Sequence, residues 1–474
     1  MNTIQRIAKN TLALFSAQFF VSILSLLLSV YIARILGDVD FGRYSFALAF
    51  VTILAVFSDL GYNTLLIRDV ARSRDQASKY LSNIISIRAL LSLIIFFLIF
   101  IIINLMGYSN DTKNIIYLFG LYVILGSLAA VFRTTFRAFE KMEYEAAINI
   151  ISEIVKVSLG LLVLFLGYGL MMLAVVFLIT AIFNFIISFL VCEKKFVKSR
   201  TELDFDFFKS TIKIAFPLSL LSIFGLIYIR IDTVMLSVLK GNAVVGWYNA
   251  SYNLVLSFKA VPHLLMNALL PLMSYYYISS KNLLKKTYEK SFKYLLILGL
   301  PVALGISLIS DRIILLFYGE QFINSIFVLR ILAWDVLLIF LCKCLAFLLV
   351  STDKQNQMAI IVGLVALINV ILNLFLIPIF SFVGAAMATI VAECFLLFTY
   401  MYLTHRSVIK ISIHKIILKP VVACAAMGFF VFQFREINLL ILVIISAVIY
   451  FGLLYLLKGI SDDDISLFKR LIKK

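Results

Sequence analysis

Charged residues are scarce in this sequence. Only 14% of its 474 residues are Asp, Glu, Lys or Arg, whereas 63% are hydrophobic. Ordinary soluble domains are nearer one quarter charged and one half apolar, so the composition excludes that class. Uncharged apolar runs of about 18 residues or more recur along the chain, and each can cross about 30 Å of hydrocarbon as a helix. The short alternating strands of an outer-membrane barrel are missing. We therefore predict an all-α polytopic membrane protein.

Motifs for catalysis and metal binding are also missing. There is no Gly-rich phosphate loop, no H-E-x-x-H and no nucleophile elbow. The three histidines and five cysteines lack the spacing of a metal site or a disulfide framework. We therefore expect a protein that is not an enzyme and that uses no cofactor or metal. Asp-Phe-Asp at 204–206 has the D-x-D form of many metal-dependent glycosyltransferases, but capping of the next helix is the simpler interpretation.

Hydropathy predicts fourteen transmembrane helices, and the charge of the connections between them predicts their orientation. The predicted spans are 10–36, 41–67, 81–106, 114–138, 145–166, 169–191, 211–239, 245–278, 286–308, 326–350, 357–377, 383–404, 415–434 and 439–457. The two terminal segments and the connections on their side contain 26 Lys and Arg residues, whereas the opposite set contains 5. Basic residues concentrate on the cytoplasmic side, so both termini are predicted to be cytoplasmic. The net charge of +17 is thus explained by topology, and no nucleic-acid partner is expected.

A faint internal repeat predicts two similar halves. Gly42-Arg-Tyr44 recurs as Gly246-Trp-Tyr248 after 204 residues, and Leu-Phe-Leu-Gly at 164–167 resembles Leu-Phe-Leu-Ile at 374–377. Parallel repeats of this kind occur in transporters that bind substrate near the membrane midplane. We predict two six-helix lobes around a central cavity. The N-lobe covers 1–208, the C-lobe covers 209–404, and 405–474 forms a further helix pair with a cytoplasmic tail.

Ionisable side chains lie deep inside the predicted spans. Each one costs about 2.5–3.5 kcal/mol at a helix centre if it faces lipid, so most of them must face a partner or a hydrated cavity. Such residues mark binding sites or ion pathways. The deep residues are Asp59, Arg88, Glu153, Lys156, Arg230, Asp232, Lys259, Asp335, Lys343 and Glu393.

Helical spacing sorts some of these charges. Glu153 and Lys156 are three residues apart and can pair, which favours a structural role. Lys259 and His263 are four apart and share a helix face beside Pro262, which favours an anionic ligand. Arg230 and Asp232 point to nearly opposite sides of a regular helix, so each requires a separate partner.

Four stretches in the first part of the chain match one family pattern. They are Tyr-Ile-Ala-Arg-Ile-Leu-Gly at 31–37, Phe-Gly-Arg-Tyr-Ser-Phe-Ala at 41–47, Asp-Leu-Gly-Tyr at 59–62 and Leu-Ile-Arg-Asp-Val-Ala-Arg at 66–72. This series resembles the N-terminal signature of Wzx-type polysaccharide flippases, which belong to the multidrug/oligosaccharidyl-lipid/polysaccharide exporter superfamily.

The second half carries further matches in the same order. Ile-Asp-Thr-Val-Met-Leu at 231–236 and Gly-Trp-Tyr-Asn-Ala-Ser at 246–251 resemble the seventh-to-eighth helix hairpin of these flippases. Asn-Val-Ile-Leu-Asn-Leu-Phe-Leu-Ile-Pro at 369–378 with Gly-Ala-Ala at 384–386 is similar to their eleventh-to-twelfth connection. The resemblance implies transport of a polyprenyl-diphosphate-linked oligosaccharide across the cytoplasmic membrane by alternating access.

Candidate site residues follow from the resemblance and from depth in the membrane. Basic cavity residues of such flippases bind the diphosphate or acidic sugars, and the resemblance carries this role to Arg34 and Arg230. Arg88, Lys259 and Lys343 join them because of their depth. Cations are required because the diphosphate is anionic, and Arg offers a bidentate fork for phosphate. The candidates for binding a coupling H⁺ or Na⁺ are Asp59, Asp232 and Glu393.

Two other functions fit parts of the sequence. A cation-coupled multidrug exporter of the same superfamily has about twelve spans and a mainly acidic, aromatic pocket, so the extra pair at 415–457 and the deep basic residues favour a flippase. A membrane-embedded glycan polymerase or ligase usually has a large extracytoplasmic loop, whereas the longest outer connection here is 309–325. The expected partners are the lipid-linked glycan, membrane lipid and glycan polymerase machinery, with a monomeric transporter.

Overall fold

The computed structural model describes residues 3–200, 202–409 and 414–459. Within these residues the chain forms fifteen α-helices and three short 3-10 turns at Val56–Ser58, Arg74–Gln76 and Glu320–Phe322. The helices are α1 Thr3–Ala55, α2 Tyr62–Arg72, α3 Ala77–Leu105, α4 Asn110–Ala138, α5 Met142–Phe165, α6 Gly169–Lys195, α7 Phe205–Lys240, α8 Asn242–Ser257, α9 Ala260–Ser279, α10 Lys281–Leu308, α11 Ser310–Phe317, α12 Ser325–Ser351, α13 Gln355–Ser407, α14 His414–Gln433 and α15 Leu439–Leu456. The predicted all-α class is confirmed, and the predicted tail beyond 459 lies outside the described residues.

Among the residues that the structure describes, twelve helical stretches are long and apolar enough to cross a membrane. Two of them, Ser16–Ser58 with 43 residues and Gln355–Ser407 with 53, are about twice the length that one crossing needs. Both contain a residue with non-helical backbone angles, Gly37 in the first and Ser381 in the second. Each long stretch therefore corresponds to two of the fourteen predicted spans. The cytoplasmic placement of the termini remains a prediction.

The chain reverses direction inside α13. A Cβ atom added to Gly384 would lie 2.3 Å from the carbonyl oxygen of Leu376, although eight residues separate the two. In a straight helix those residues would be about 12 Å apart. Ser381 makes the reversal with a positive φ of 54°, which is unusual for a residue other than glycine. The chain therefore turns sharply between the predicted eleventh and twelfth spans.

The predicted eighth span, 245–278, is interrupted. Helix α8 ends at Ser257 and α9 begins at Ala260. Pro262 has no N–H to donate to the carbonyl of Phe258, and the chain instead makes a tighter turn in which the Val261 N–H donates to Phe258 O at 3.2 Å. This break places Lys259 between two helices.

Asp204 begins α7. Its carboxylate accepts hydrogen bonds from the backbone N–H groups of Asp206 at 2.9 Å and Phe207 at 3.1 Å. This is the geometry of a helix N-cap, which satisfies donors that have no partner within the helix. The capping interpretation of the Asp-Phe-Asp sequence is therefore confirmed.

The chain divides into two compact units. Unit 1 contains Met1–Ala250 and Val362–Ala385, and unit 2 contains Ser251–Ile361 and Ala386–Lys474. In unit 1, α1 packs against α4, α5 and α7, and α4 packs against α6. In unit 2, α10 packs against α12 and α14, and Tyr450 of α15 donates a hydrogen bond to Ile297 O at 2.9 Å. The lobe boundaries at 208 and 404 remain predictions.

All five cysteines are free, and all but Cys394 are buried. Cys342 and Cys344 lie two residues apart on α12, where a regular helix points them in different directions. No disulfide joins the described cysteines.

Candidate functional site

Arg88 and Asp59, predicted in different roles, form one ion pair in unit 1. Arg88 on α3 is only 3% exposed, and its Nη2 lies 2.5 Å from Asp59 Oδ1. Its Nη1 donates a second hydrogen bond to Asn63 Oδ1 at 3.0 Å, and Thr134 donates to the same oxygen at 3.2 Å. The charges of Arg88 and Asp59 therefore offset each other within one unit.

Glu153 and Lys156 form the ion pair that their spacing predicts. Lys156 Nζ lies 2.7 Å from Glu153 Oε2, and Ser25 Oγ on α1 donates to Glu153 Oε1 at 2.5 Å. The ammonium of Lys156 also lies 5.4 Å from the ring centre of Phe177, which allows a cation–π interaction. Spacing alone did not indicate Ser25, because its contact with α5 depends on packing between helices.

Arg34 and Arg230 are the two unit 1 residues whose role rests on the family resemblance. Arg34 is exposed on α1. Arg230 is partly buried on α7, and its Nε is a buried donor that has no hydrogen-bond partner among the described residues. Tyr44 on α1 lies within electrostatic range of Arg230 and of the Glu153–Lys156 pair. Arg230 and the Glu153–Lys156 pair thus both act on Tyr44, and Arg230 forms no ion pair with a described carboxylate.

Asp232 is held in a buried polar cluster of unit 1. It is 1% exposed, and it accepts hydrogen bonds from Tyr248 Oη at 2.8 Å and from Asn373 Nδ2 at 2.6 Å. Asn373 Nδ2 also donates to Asn369 Oδ1 at 3.1 Å. Helices α7, α8 and α13 supply these groups. The separate partner expected for Asp232 is thus present.

The cluster contains an acceptor that the described residues leave unused. Asn373 Oδ1 is buried and receives no hydrogen bond from any described residue. A carboxylate with neighbouring amide oxygens is a donor set that suits a hard cation. Sequence reasoning missed Asn369 and Asn373, although two amides four residues apart in an otherwise apolar run were a usable signal, since that spacing puts both on one helix face.

Three basic side chains of unit 2 come from neighbouring elements. Lys259 lies in the break before α9, His263 lies on α9, and Lys343 lies on α12, which packs against α9. The His263 ring contacts Phe347 on α12 edge to face, with 5.6 Å between ring centres, and Lys343 lies within electrostatic range of His263. Lys343 forms no ion pair within the part of the chain that the structure describes.

Glu393 is buried in unit 2, and a second carboxylate lies near it. Glu393 on α13 is 6% exposed, and Asp335 on α12 is 3% exposed. Cys342 Sγ donates to the Glu393 backbone oxygen at 3.9 Å, and Cys342 lies within electrostatic range of both carboxylates. Asp335 and Glu393 therefore both lie near Cys342. Their spacing in the chain did not indicate this proximity.

One ion pair lies outside the candidate membrane spans. Arg435, in the connection between α14 and α15, has its Nη2 2.5 Å from Asp311 Oδ1 on α11. Burial of Asp311 acts to raise its pKa, but the hydrogen bond and positive charge of Arg435 outweigh that effect and lower the pKa. The pair thus fastens α11 to the α14–α15 connection within unit 2.

Comparison with known proteins gives two family matches. The model described as "Polysaccharide biosynthesis protein" matches residues 7–277, which is more than half of the chain. The model described as "MatE" matches residues 217–375. The "Probable low-salt glycan biosynthesis flippase Agl15" of Haloferax volcanii is 25% identical over 387 residues, covering 81% of this chain and 80% of that protein. The "Capsular polysaccharide biosynthesis protein CapF" of Staphylococcus aureus is 22% identical over 404 residues, covering 84% and 99%.

Solved structures share the fold. The structure titled "Lipid II flippase MurJ, inward closed conformation" has a TM-score of 0.79 at 18% identity, and the match covers 97% of this chain and 100% of that one. A MATE transporter of Vibrio cholerae, VcmN, has a TM-score of 0.58 at 14% identity, covering 85% and 97%. The chain therefore belongs to the polysaccharide biosynthesis protein family, and it is a multi-pass cytoplasmic-membrane transporter of the multidrug/oligosaccharidyl-lipid/polysaccharide exporter superfamily.

Proposed function

We propose that this protein is a flippase that moves a polyprenyl-diphosphate-linked oligosaccharide, the repeat unit of a surface glycan, across the cytoplasmic membrane. The transport follows alternating access and is driven by a coupled cation. Family membership and the names of the Haloferax flippase and the Staphylococcus capsular polysaccharide protein support this choice. We further propose that the protein catalyses no bond change, acts as a monomer and delivers its substrate to glycan polymerase machinery.

The observation that carries the proposal is a set of two basic side chains in the membrane, Arg230 and Lys343, that form no ion pair with a described residue. Arg88 is offset by Asp59, and Lys156 is offset by Glu153. Arg230 and Lys343 form no ion pair with a described residue, although both lie in membrane-spanning helices. An unneutralised cation in hydrocarbon is costly, so an anionic ligand that binds there gains the energy of neutralisation. A lipid-linked diphosphate is such a ligand.

The remaining basic candidates differ in how they contact the substrate. Arg34, which is exposed, and Lys259, which is partly buried, bind the diphosphate or anionic sugars directly. His263 adds a hydrogen-bonding group beside Lys343. Arg88 binds substrate only in a conformation in which its pair with Asp59 has separated. The guanidinium of Arg34 and Arg230 suits bidentate contact with phosphate, whereas the lysines act as point charges.

Asp232 is the carboxylate best placed to bind the coupling cation. The buried, unused Asn373 Oδ1 beside it fits a bound Na⁺, and Asn369 belongs to the same cluster. A proton on Asp232 would serve the same role, because either species neutralises the buried carboxylate. Asp59 and Glu393 are the other coupling candidates, and Asp59 requires separation from Arg88 before it binds a cation.

Multidrug export is the competing function. The MatE match to residues 217–375 and the fold of the Vibrio transporter favour it. The two functions differ in the charge of the cargo, since a cationic drug is repelled by unneutralised Arg230 and Lys343 and a diphosphate is attracted.

Complementation decides between the two functions. The gene is expressed in a panel of flippase-deficient strains, each assembling a different lipid-linked glycan, and the glycan on each membrane leaflet is assayed. Rescue of surface glycan in at least one strain supports the proposal. Failure in every strain together with increased drug efflux establishes the exporter instead. A variant with both Arg230→Gln and Lys343→Gln serves as the matched negative control.

A further inference from the structure

Two glycines of unit 1 meet across a backbone contact that leaves no room for side chains. A Cβ atom added to Gly42 on α1 would lie 1.8 Å from Asn242 O, and one added to Gly246 on α8 would lie 2.1 Å from Asp38 O. Real Cβ atoms do not approach other atoms below about 3.0 Å, since hard-sphere overlap forbids it. Glycine is therefore required at both positions in this conformation. We call Asp38, Gly42, Asn242 and Gly246 the glycine seam.

The glycine seam is reciprocal. Each glycine faces the carbonyl oxygen of the residue that lies four positions before the other glycine. The offset between corresponding residues is 204, the same offset that relates Gly42-Arg-Tyr44 to Gly246-Trp-Tyr248 in the internal repeat. Equivalent residues of the two repeats thus contact each other across an approximate twofold axis. Nothing in the repeat pattern alone indicated that its two copies touch.

A tyrosine lies two residues after each seam glycine, and each tyrosine interacts with a cluster of charged side chains. Tyr248 donates its 2.8 Å hydrogen bond to Asp232. Tyr44 lies within electrostatic range of Lys156 and Glu153. A change of charge or bonding in either cluster therefore acts on a residue within one helical turn of the seam.

A second close backbone contact joins the segment after α1 to α7, which precedes α8 in the chain. A Cβ atom on Gly61, just beyond α1, would lie 2.0 Å from Ala215 O of α7. Tyr62 and Thr211 also make a 3.4 Å side-chain hydrogen bond there. Gly42 and Gly61 are nineteen residues apart in the chain, so a helix between them would span about 28 Å, nearly the thickness of the hydrocarbon. The two contacts thus mark the two membrane faces of unit 1.

We propose that the glycine seam is a gate that separates during the transport cycle, and that Tyr248 links its opening to the cation state of Asp232. The proposal rests on alternating access, which requires one end of the transporter to open while the other stays closed. A backbone-to-backbone contact suits a gate because it packs helices tightly without interlocking side chains. Neutralising Asp232 weakens the charge-assisted hydrogen bond that it accepts from Tyr248. That hydrogen bond connects the cation site to the start of α8.

Distance measurement across the seam tests the gate. Spin labels are placed at Val39 and Val238, whose side chains are both exposed in the spans that flank the seam, with Cys394→Ser as the background. Distance distributions are recorded in nanodiscs with and without Na⁺ at two pH values, and no glycan is present. We expect a short-distance population and a longer one, whose ratio changes with Na⁺ or pH. Gly42→Ala and Gly246→Ala should each increase the longer population at least severalfold.

Gly126→Ala is the matched control, because a Cβ there meets nothing within 4 Å. Distributions of both seam variants that equal the control would overturn the gate. A wild-type distance that is constant in all conditions would also overturn it, even if neither variant folds. Tyr248→Phe should abolish the response to Na⁺ and pH, and an unchanged response would overturn the link to Asp232. These outcomes do not depend on cargo, so they are separate from failure of the flippase proposal, which complementation detects.

Discussion

The side-chain amide of Asn373 lies 2.6 Å from the carboxylate of Asp232, although 141 residues separate them in the chain. This contact joins α7 to the part of α13 that precedes Ser381. It also explains how a carboxylate that is 1% exposed is retained in a membrane span, because hydrogen-bond donors replace the water that burial removes.

Asp232→Asn should uncouple transport from the cation. The substitution keeps a side chain of the same shape, but it removes the charge that we propose binds Na⁺ or H⁺. We expect glycan export to fall about tenfold or more and its dependence on an ion gradient to disappear, because one lost charge-assisted contact is worth about 1.4 kcal/mol or more. Export is measured in inverted vesicles with imposed Na⁺ or pH gradients. Glu320→Gln, at an exposed carboxylate outside the spans, is the control, and retention of gradient dependence by Asp232→Asn would exclude Asp232 from coupling.

Removing Asp59 should destabilise the protein through Arg88. Arg88 is nearly fully buried, so Asp59→Asn leaves an uncompensated charge, and loss of one member of a buried ion pair costs about 3–5 kcal/mol. The double variant Asp59→Asn with Arg88→Met should recover much of this loss. Thermal unfolding in detergent measures both. An equal loss of stability in the single and double variants would mean that the pair is not energetically coupled.

Arg230→Gln and Lys343→Gln should each reduce export of the lipid-linked glycan by about tenfold or more while leaving thermal stability nearly unchanged, because neither charge has a described counter-ion to orphan. Lys343→Arg should retain activity. Surface glycan and membrane abundance are measured together in the rescued strain. Lys240→Gln, at the exposed lysine that ends α7, is the matched control, and wild-type export by both charge variants would remove these residues from the site.

Arg34→Ala and Lys259→Ala should lower surface glycan without lowering the amount of protein in the membrane. Arg34 is exposed, and Lys259 lies in a break between helices, so neither substitution empties a packed core. The same complementation assay applies, with membrane abundance measured by immunoblot. Normal glycan export by both variants would contradict their assignment to substrate binding.

The Asp311–Arg435 pair should stabilise the fold only above acidic pH. The pKa of Asp311 is lowered in the folded state, so its contribution is complete above the ordinary carboxyl value of about 3.9 and disappears as the pH falls through the lowered value. Unfolding temperatures of the wild type and of Asp311→Asn are compared at neutral pH and below the lowered pKa. We expect the difference to shrink in acid and in high salt, since both side chains are partly exposed. A difference that is constant with pH would show that the pair contributes nothing.

Local patterns predicted much of the fold. Apolar run length located the fourteen spans, the three-residue spacing located the Glu153–Lys156 pair, and the residue type at 204 located a helix cap. These features depend on short segments, whose geometry is fixed by the helix itself. Hydropathy predicts the eighth span as continuous, whereas the structure breaks it before α9. Pro262 is the residue in the sequence that indicates this break.

The candidate site was less predictable because its partners come from distant helices. Depth in a span identified Asp232 and Arg88 as candidates. It could not indicate that Asn373 donates a hydrogen bond to Asp232. Nor could it indicate that Asp59 neutralises Arg88. The reciprocal contact of Gly42 and Gly246 depends likewise on tertiary packing. Residue type and spacing can therefore identify a charged residue in a membrane span as a candidate site residue. Its role depends on which groups from other helices surround it.

The free, mostly buried thiols have a practical consequence. A fold without disulfide crosslinks should unfold at the same temperature with or without reductant, so its assembly does not depend on the redox state of either side of the membrane. Four of the five thiols are shielded from aqueous reagents, and Cys394 is the partly exposed one. Replacing that single residue should yield a chemically silent background, in which each cysteine introduced later reports on its own surroundings.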